Sequence, residues 1–186
     1  MESLVRNGAR EIVVTSRKMV NCKAFDRILR TYQSKCKIST YVLDVTNEAS
    51  IESLFSTLVG GFSCVFFLAG IFQVSSVVDL DIADLFDVVA VKRAASSIYH
   101  HLCHRGSLPA LFLTISSVTV LGMEGSGAYA TANGELEWLA INGEKCVSLR
   151  LGPVDMENSM ANQTAKAFFL KRGCLSLSID SVIQKI

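Results

Sequence analysis

Short runs of β-branched and aromatic residues alternate along the chain with longer segments whose apolar residues recur every three or four positions. The short runs predict β-strands and the longer segments predict helices. The predicted strands are Glu11–Ser16, Ile38–Leu43, Cys64–Leu68, Leu111–Ser116 and Cys146–Leu151. The predicted helices are Cys22–Ser34, Ala49–Leu58, Ile82–Cys103 and Tyr129–Ile141, and Met1–Asn7 has the pattern of a helix end before Gly8. This alternation, with strands apolar on both faces, predicts an α/β fold: a parallel sheet with helices on both faces.

The length, charge and composition argue against several classes of protein. The chain has 186 residues, half of them hydrophobic, and a formal net charge of +1. This length predicts a single domain over residues 1–186, and the near-zero charge favours neither nucleic acid nor a membrane surface as a partner. The apolar stretches fall short of the roughly 20 residues that a membrane-spanning helix requires. Met1–Arg10 lacks a signal-peptide pattern and the cysteines form no C-x-x-C pair, so we expect a cytoplasmic protein with reduced thiols.

Small, polar and charged residues follow each predicted strand. Ligands of open α/β sheets bind beyond the carboxyl ends of the strands, so these positions are candidates for a binding site. They are Ser16, Arg17 and Lys18; Asp44, Val45 and Thr46; Ala69 and Gly70; Ser116 and Ser117; and Gly152, Pro153 and Val154. Farther along the chain, Tyr129 and Asn133 lie one helical turn apart on the same helix face.

Seven short motifs, in order along the chain, give a specific resemblance. They are Asn7–Arg10, Ile12–Arg17, Asp44–Thr46, Phe67–Gly70, Val91–Lys92, Ser116–Val118 and Tyr129–Asn133. Together they resemble the short-chain dehydrogenase/reductase superfamily, and more narrowly the ketoreductase (β-ketoacyl reductase) domain of polyketide synthases and animal-type fatty acid synthases. Each motif is weak alone, but their common order is strong. The resemblance extends to the tail, Phe168–Ile186, and implies a Rossmann-like fold.

The exchange of two catalytic positions makes the resemblance narrower. Ordinary short-chain reductases carry a lysine four residues after the tyrosine, whereas Asn133 occupies that position here and Lys92 lies on the preceding helix. The ketoreductase domains share this exchange. The resemblance therefore implies that Tyr129 donates a proton, that Lys92 lowers the pKa of its phenol from about 10, and that Asn133 positions the lysine or a water. Ser117 is expected to hydrogen-bond the substrate carbonyl.

The same resemblance implies NADPH as the cofactor and a β-ketoacyl group on an acyl carrier protein as the substrate. Arg17, beside Ser16, takes the place that grips the 2′-phosphate of NADPH, and Lys18 could serve similarly. The other implied cofactor contacts are Asp44 and Val45 at the adenine, Ala69 and Gly70 at the ribose, and Gly152, Pro153 and Val154 at the nicotinamide.

Departures from the family pattern leave alternatives open. The glycine-rich turn and the first strand of the fold are missing, and a final edge strand is expected beyond Ile186, so we expect a partial domain. Other synthase domains, or a partner that supplies the missing strand, are then expected partners. Ser117 precedes Tyr129 by one residue fewer than is usual, so spacing favours Ser116 while the strand end favours Ser117. The alternative function is a catalytically inactive fragment or pseudoenzyme that acts, if at all, as an interaction module.

Two other features predict structure rather than chemistry. His100, Cys103 and His104 share a helical face, but no fourth ligand is evident, and we predict no metal site. Trp138 is expected to pack in the core.

Overall fold

The computed structural model describes residues 1–20, 22–58, 60–155, 166–178 and 182. Its contacts divide the chain into two compact units, Met1–Val59 and Gly60–Ile186. All the strand pairs described in both units are parallel, and helices connect the consecutive strands from Glu11 to Leu151. This confirms the predicted α/β class, whereas the single domain over residues 1–186 stays a prediction.

The first unit is a β-α-β arrangement between two further helices. α1 (Glu2–Arg6) is followed by β1 (Glu11–Ser16), α2 (Lys23–Tyr32), β2 (Lys37–Val42) and α3 (Glu48–Thr57). Gly8, just after α1, has a φ of 96°, which glycine adopts without the steric cost that a side chain would bring. A small core of Val5, Tyr32 and Cys36 holds α1 and the end of α2 together.

The second unit carries a three-stranded sheet in the order β3-β4-β5. These strands are Cys64–Phe67, Leu111–Ser117 and Cys146–Leu151. Two long helices, α4 (Ile82–His104) and α5 (Gly127–Asn142), connect the strands and pack against each other, and a 3-10 turn at Val118–Leu121 precedes α5. The unit ends with two short paired strands, β6 (Val154–Asp155) and β7 (Leu177–Ser178), and residues 166–170 between them are helical.

The predicted strands are confirmed to within one residue at each end, and the four long helices to within two. The 3-10 turn, β6 and β7 carry too few residues to show a periodic pattern, so the sequence did not predict them. The core position of Trp138 is wrong: its side chain is 57% exposed. Small and aliphatic residues fill the buried face of α5 instead, namely Ala128, Ala132, Leu136 and Leu139.

Among the described residues, no helix is both long and apolar enough to cross a membrane. Within the same part of the chain, no group of three histidine, cysteine, aspartate or glutamate side chains is placed to hold a metal ion.

Candidate active site

Lys92 is buried in the second unit, on the inner side of α4. Its side chain is 4% exposed, and Nζ donates a hydrogen bond to the Ile115 carbonyl of β4 at 3.1 Å. Burial lowers the pKa of Lys92 from 10.5 to about 8, because water no longer solvates the ammonium. The amine therefore stays mostly protonated at neutral pH. An ammonium has three N–H donors, and the Ile115 carbonyl accounts for one of them.

Gly70, which follows β3, leaves the space that Lys92 occupies. A Cβ built on Gly70 would lie 3.1 Å from both Cε and Nζ of Lys92. The family resemblance implies that Gly70 lets a cofactor ribose approach, which stays a prediction. The structure adds a second reason, since any side chain at position 70 would press on a buried ammonium.

Tyr129 lies in the first turn of α5 and packs among apolar side chains. Its ring meets that of Phe72 edge to face, with centroids 5.1 Å apart, and it contacts the buried cluster of Val88, Val89 and Ala132. Burial raises the pKa of Tyr129, and the Asn133 side chain acts in the opposite direction with a smaller effect. Lys92 is not among the causes of this shift, and its effect on the Tyr129 phenol stays a prediction.

Asn133 is completely buried one turn after Tyr129. Its Nδ2 donates to the Tyr129 backbone carbonyl at 2.8 Å. Its Oδ1 is buried and has no hydrogen-bond partner among the described residues. A buried carbonyl oxygen left without a donor costs about 1 to 3 kcal/mol, so this atom is suited to accept from a water or a ligand.

The two serines at the end of β4 face opposite sides of the sheet, as successive strand residues do. Ser116 Oγ donates to Glu137 Oε1 of α5 at 2.8 Å. Ser117 Oγ instead accepts from the Thr119 backbone N–H at 3.3 Å and caps the 3-10 turn. The Ser117 hydroxyl is thus still able to donate a hydrogen bond, whereas the Ser116 hydroxyl already donates to Glu137. Which of the two serines meets a substrate carbonyl stays a prediction.

The segment after β5 is held by the tail of the chain. The Pro153 carbonyl accepts from the Leu177 backbone N–H at 2.7 Å, and Val154 pairs with Leu177 in the β6-β7 ladder. Gly152 lies just before this bridge, and Pro153 is buried. Gly152, Pro153 and Val154, the predicted nicotinamide contacts, thus all lie at the carboxyl end of β5. The sequence patterns did not connect them to Leu177.

The predicted adenine and phosphate contacts lie in the first unit, at the carboxyl ends of β1 and β2. Ser16 Oγ donates to the Lys18 carbonyl, so its proton is used in the local turn. Arg17 is exposed. Asp44 accepts from the Thr46 backbone N–H at 2.9 Å and from Thr46 Oγ1 at 2.7 Å, while Val45 is half-buried. These Thr46 hydrogen bonds are the main cause that lowers the pKa of Asp44, and the charge of Arg17 adds to them.

Two residues beside the predicted set were missed by sequence reasoning. Phe72 forms part of the Tyr129 environment, and its ring also lies 5.8 Å from that of Phe168, centroid to centroid. Glu137 connects α5 to Ser116 and Arg150. The spacing of Tyr129, Asn133 and Glu137 at intervals of four places them on one helix face, and this was the signal that could have identified Glu137.

The parallel strands and the helices that connect them define a Rossmann-like α/β protein. A family model described as the KR domain matches residues 1–156. The chain therefore belongs to the KR, or ketoreductase, domain family. No curated protein sequence is similar enough to the chain to count as a match.

Solved structures show the same fold. An A1-type ketoreductase matches with a TM-score of 0.84 at 21% identity, over 97% of this chain and 40% of that one. The first ketoreductase of the tylosin PKS matches with a TM-score of 0.79 at 23% identity, over 98% of this chain and 42% of that one. A short-chain dehydrogenase/reductase from Burkholderia multivorans with bound NADP matches with a TM-score of 0.66 at 16% identity, over 86% of this chain and 74% of that one. The chain thus spans less than half the length of these two ketoreductases.

Proposed function

We propose that the chain carries the catalytic part of an NADPH-dependent ketoreductase that converts a β-ketoacyl group to a β-hydroxyacyl group. The proposal rests on buried hydrogen-bonding groups in the second unit whose donors and acceptors are not all used. Asn133 Oδ1 is buried without a donor among the described residues, and two N–H groups of the buried Lys92 are not accounted for by Ile115. Such groups are uncommon in a purely structural core and are typical of a site that holds a ligand.

Each of these residues has a distinct proposed role in the reduction of a ketone. A nicotinamide cofactor, when bound, supplies the hydride. Ser117 donates its free O–H to the carbonyl oxygen as negative charge develops there, and the Tyr129 hydroxyl transfers its proton to that oxygen. The phenolate that remains is stabilised by the positive charge of Lys92, and Asn133 Oδ1 holds a water through which the proton is replaced.

Each unit carries residues that this proposal assigns to a nicotinamide cofactor. Arg17 is exposed at the end of β1 and supplies the planar, fixed charge that suits the 2′-phosphate of NADPH. Gly152 and Pro153 would border the nicotinamide, and Ala69 with Gly70 the ribose. The solved reductase with bound NADP supports this choice of cofactor, because it shares the fold.

The substrate and partners follow from the family. We propose a β-ketoacyl thioester on an acyl carrier protein, in polyketide or fatty acid biosynthesis and in the cytoplasm. The first ketoreductase of the tylosin PKS, which shares the fold, supports the polyketide setting. Other synthase domains, or a partner that adds a strand, would complete the assembly.

The test is consumption of NADPH by the full chain with the acetoacetyl thioester of N-acetylcysteamine, measured for wild type, Tyr129→Phe and Tyr99→Phe. Tyr99 is the matched control, because its hydroxyl makes a structural hydrogen bond to the Glu144 carbonyl at 2.9 Å. We expect Tyr129→Phe to lower kcat by about 10² to 10⁴ and Tyr99→Phe to leave it near wild type. Equal turnover of Tyr129→Phe and wild type would reject Tyr129 as the proton donor.

One observation favours the alternative, a catalytically inactive relative. The raised pKa of Tyr129 is the opposite of what an efficient proton donor at neutral pH requires. In that case neither wild type nor Tyr129→Phe would oxidise NADPH above the rate without protein, and the chain would act as an interaction module.

A further inference from the structure

We propose that Glu137 is a positioning residue of the ketoreductase site: it fixes the helix that carries Tyr129 against the strand end that carries Ser117. This inference rests on the proposed function. Glu137 contacts neither of these two side chains, and the effect passes through Ser116 and through α5.

The geometry of this link is well defined. Glu137 Oε1 accepts from Ser116 Oγ at 2.8 Å and from Arg150 Nε at 2.9 Å, while Oε2 accepts from Arg150 Nη2 at 2.5 Å. Arg150 thus holds the carboxylate through two parallel hydrogen bonds, which constrain its orientation as well as its position. Ser116 and Arg150 are register partners on β4 and β5, so one helix side chain is anchored to two adjacent strands.

The same contacts favour the ionised form of Glu137. Hydrogen bonding from Arg150 is the main cause that lowers the pKa of Glu137, Ser116 adds to it, and burial opposes both. The carboxylate is therefore ionised at neutral pH. Both side chains remain partly exposed, 23% for Glu137 and 43% for Arg150, so the ion pair itself adds little stability and its main effect is geometric.

Both ends of the link lie next to proposed catalytic groups. Ser116 is joined to Ser117 by one peptide bond. Glu137 lies two helical turns from Tyr129 on the same face of α5, a distance of about 12 Å along a rigid helix. A shift of α5 along the sheet would therefore change the distance between the Ser117 and Tyr129 hydroxyls, and misplacements of about 1 Å can cost about 10² in rate.

The chain offers a matched control on the same helix. Glu135 forms a single ion pair with Arg93 at 3.0 Å and is similarly exposed, at 29%. That pair connects α5 to α4, and within the described part of the chain neither side chain makes a hydrogen bond to the sheet. Glu135→Gln and Glu137→Gln thus make the same chemical change two residues apart, and only the second alters the link to β4.

The experiment compares wild type, Ser116→Ala, Glu137→Gln, their double variant and Glu135→Gln in the full chain, with NADPH and the acetoacetyl thioester. We expect Ser116→Ala and Glu137→Gln each to lower kcat about tenfold, while KM changes less than about twofold. The double variant should be no slower than the slower single variant, because both substitutions disturb the same link between α5 and β4. Glu135→Gln should retain the wild-type kcat.

A second measurement is independent of turnover. The titration of Tyr129 is followed by ultraviolet difference spectra, with Tyr129→Phe as the reference. Loosening α5 from β4 lets water reach the phenol, so Ser116→Ala and Glu137→Gln should lower its titration midpoint, and Glu135→Gln should not.

The outcomes separate this inference from the proposed function. If wild type turns over and Glu137→Gln keeps its kcat, or if Glu135→Gln loses as much, the inference is overturned and the proposed function stands. If wild type shows no turnover, the proposed function fails, and the Tyr129 midpoint decides the inference. A downward shift confined to Ser116→Ala and Glu137→Gln then supports positioning, and an unchanged midpoint overturns it.

Discussion

At the scale of single residues, adjacent side chains with the same chemistry have different fates. Ser116 donates a hydrogen bond to Glu137. Ser117 accepts a hydrogen bond from the Thr119 backbone N–H, so its own O–H is still free to donate. The difference arises because alternate strand residues face opposite sides of the sheet, one toward α5 at Glu137 and the other into the start of the 3-10 turn. The roles of the two serines are therefore separable by substitution.

We expect Ser117→Ala to lower kcat by about 10² and Ser116→Ala by only about tenfold, because only Ser117 is proposed to stabilise charge on the carbonyl oxygen. Steady-state kinetics of both variants with the acetoacetyl thioester measure the ranking. A larger loss in Ser116→Ala would identify Ser116 as the carbonyl ligand.

Burial of Lys92 predicts a pH-dependent stability. The pKa is about 8 in the folded protein and 10.5 in the unfolded chain. Below pH 8 the lysine is protonated in both states, and the folded state bears the full cost of a buried charge. Between these two pKa values only the unfolded chain holds the proton, so the Lys92 contribution to the free energy of unfolding rises with pH, by about 3 kcal/mol in total.

Lys92→Met should accordingly be more stable than wild type at pH 7, and the difference should narrow as the pH rises from 8 toward 10.5. Urea unfolding of both proteins at several pH values tests this. Lys35→Met, at an exposed position of the first unit, is the control for loss of a lysine elsewhere. A difference between Lys92→Met and wild type that does not change with pH would show that the ammonium is solvated.

At the scale of elements, α3 shows how one polar residue defines where a helix begins. Asn47 Oδ1 accepts from the Ser50 backbone N–H at 3.0 Å and so caps the N-terminus of α3. The cap satisfies one of the amide groups that the first helical turn leaves without a partner.

Asn47→Ala should lower the free energy of unfolding by about 1 kcal/mol, and Asn47→Asp should retain most of it, because aspartate caps as well as asparagine does. Chemical denaturation of the three proteins measures both effects. Equal loss in the two variants would indicate that the side-chain amide group, rather than the cap oxygen, carries the stability.

At the scale of the whole molecule, cofactor binding and stability are linked. A ligand that binds only the folded chain raises its melting temperature, and the rise reports the affinity. Under the proposed function NADPH is such a ligand, and Arg17 supplies the charge that distinguishes it from NADH.

We expect NADPH to raise the melting temperature of wild type more than NADH does, and Arg17→Ala to remove most of that difference. The physical reason is that NADH lacks the 2′-phosphate. Thermal denaturation with each cofactor, on wild type, Arg17→Ala and the exposed control Arg30→Ala, makes the comparison. If Arg17→Ala weakens the effect of both cofactors equally, Arg17 is not the phosphate ligand.

The order of strands and helices was determined by the sequence alone, and so was the family resemblance that the comparison with the KR domain confirmed. Hydrophobic periodicity is a local property, and the strands it predicts agree with the structure to within one residue. Motifs in a fixed order are likewise visible without coordinates. This is why the residue types of the candidate site could be named before their contacts were known.

Only the tertiary structure decided how those residues meet. The hydrogen bond from Lys92 to Ile115, the closeness of Gly70 to Lys92 and the link from Ser116 to Glu137 each join positions more than 20 residues apart. Such contacts depend on how α4 and α5 pack on the sheet, which no local pattern encodes. The same packing buries the Tyr129 phenol and so sets the direction of its pKa shift, because hydration depends on every neighbouring element at once.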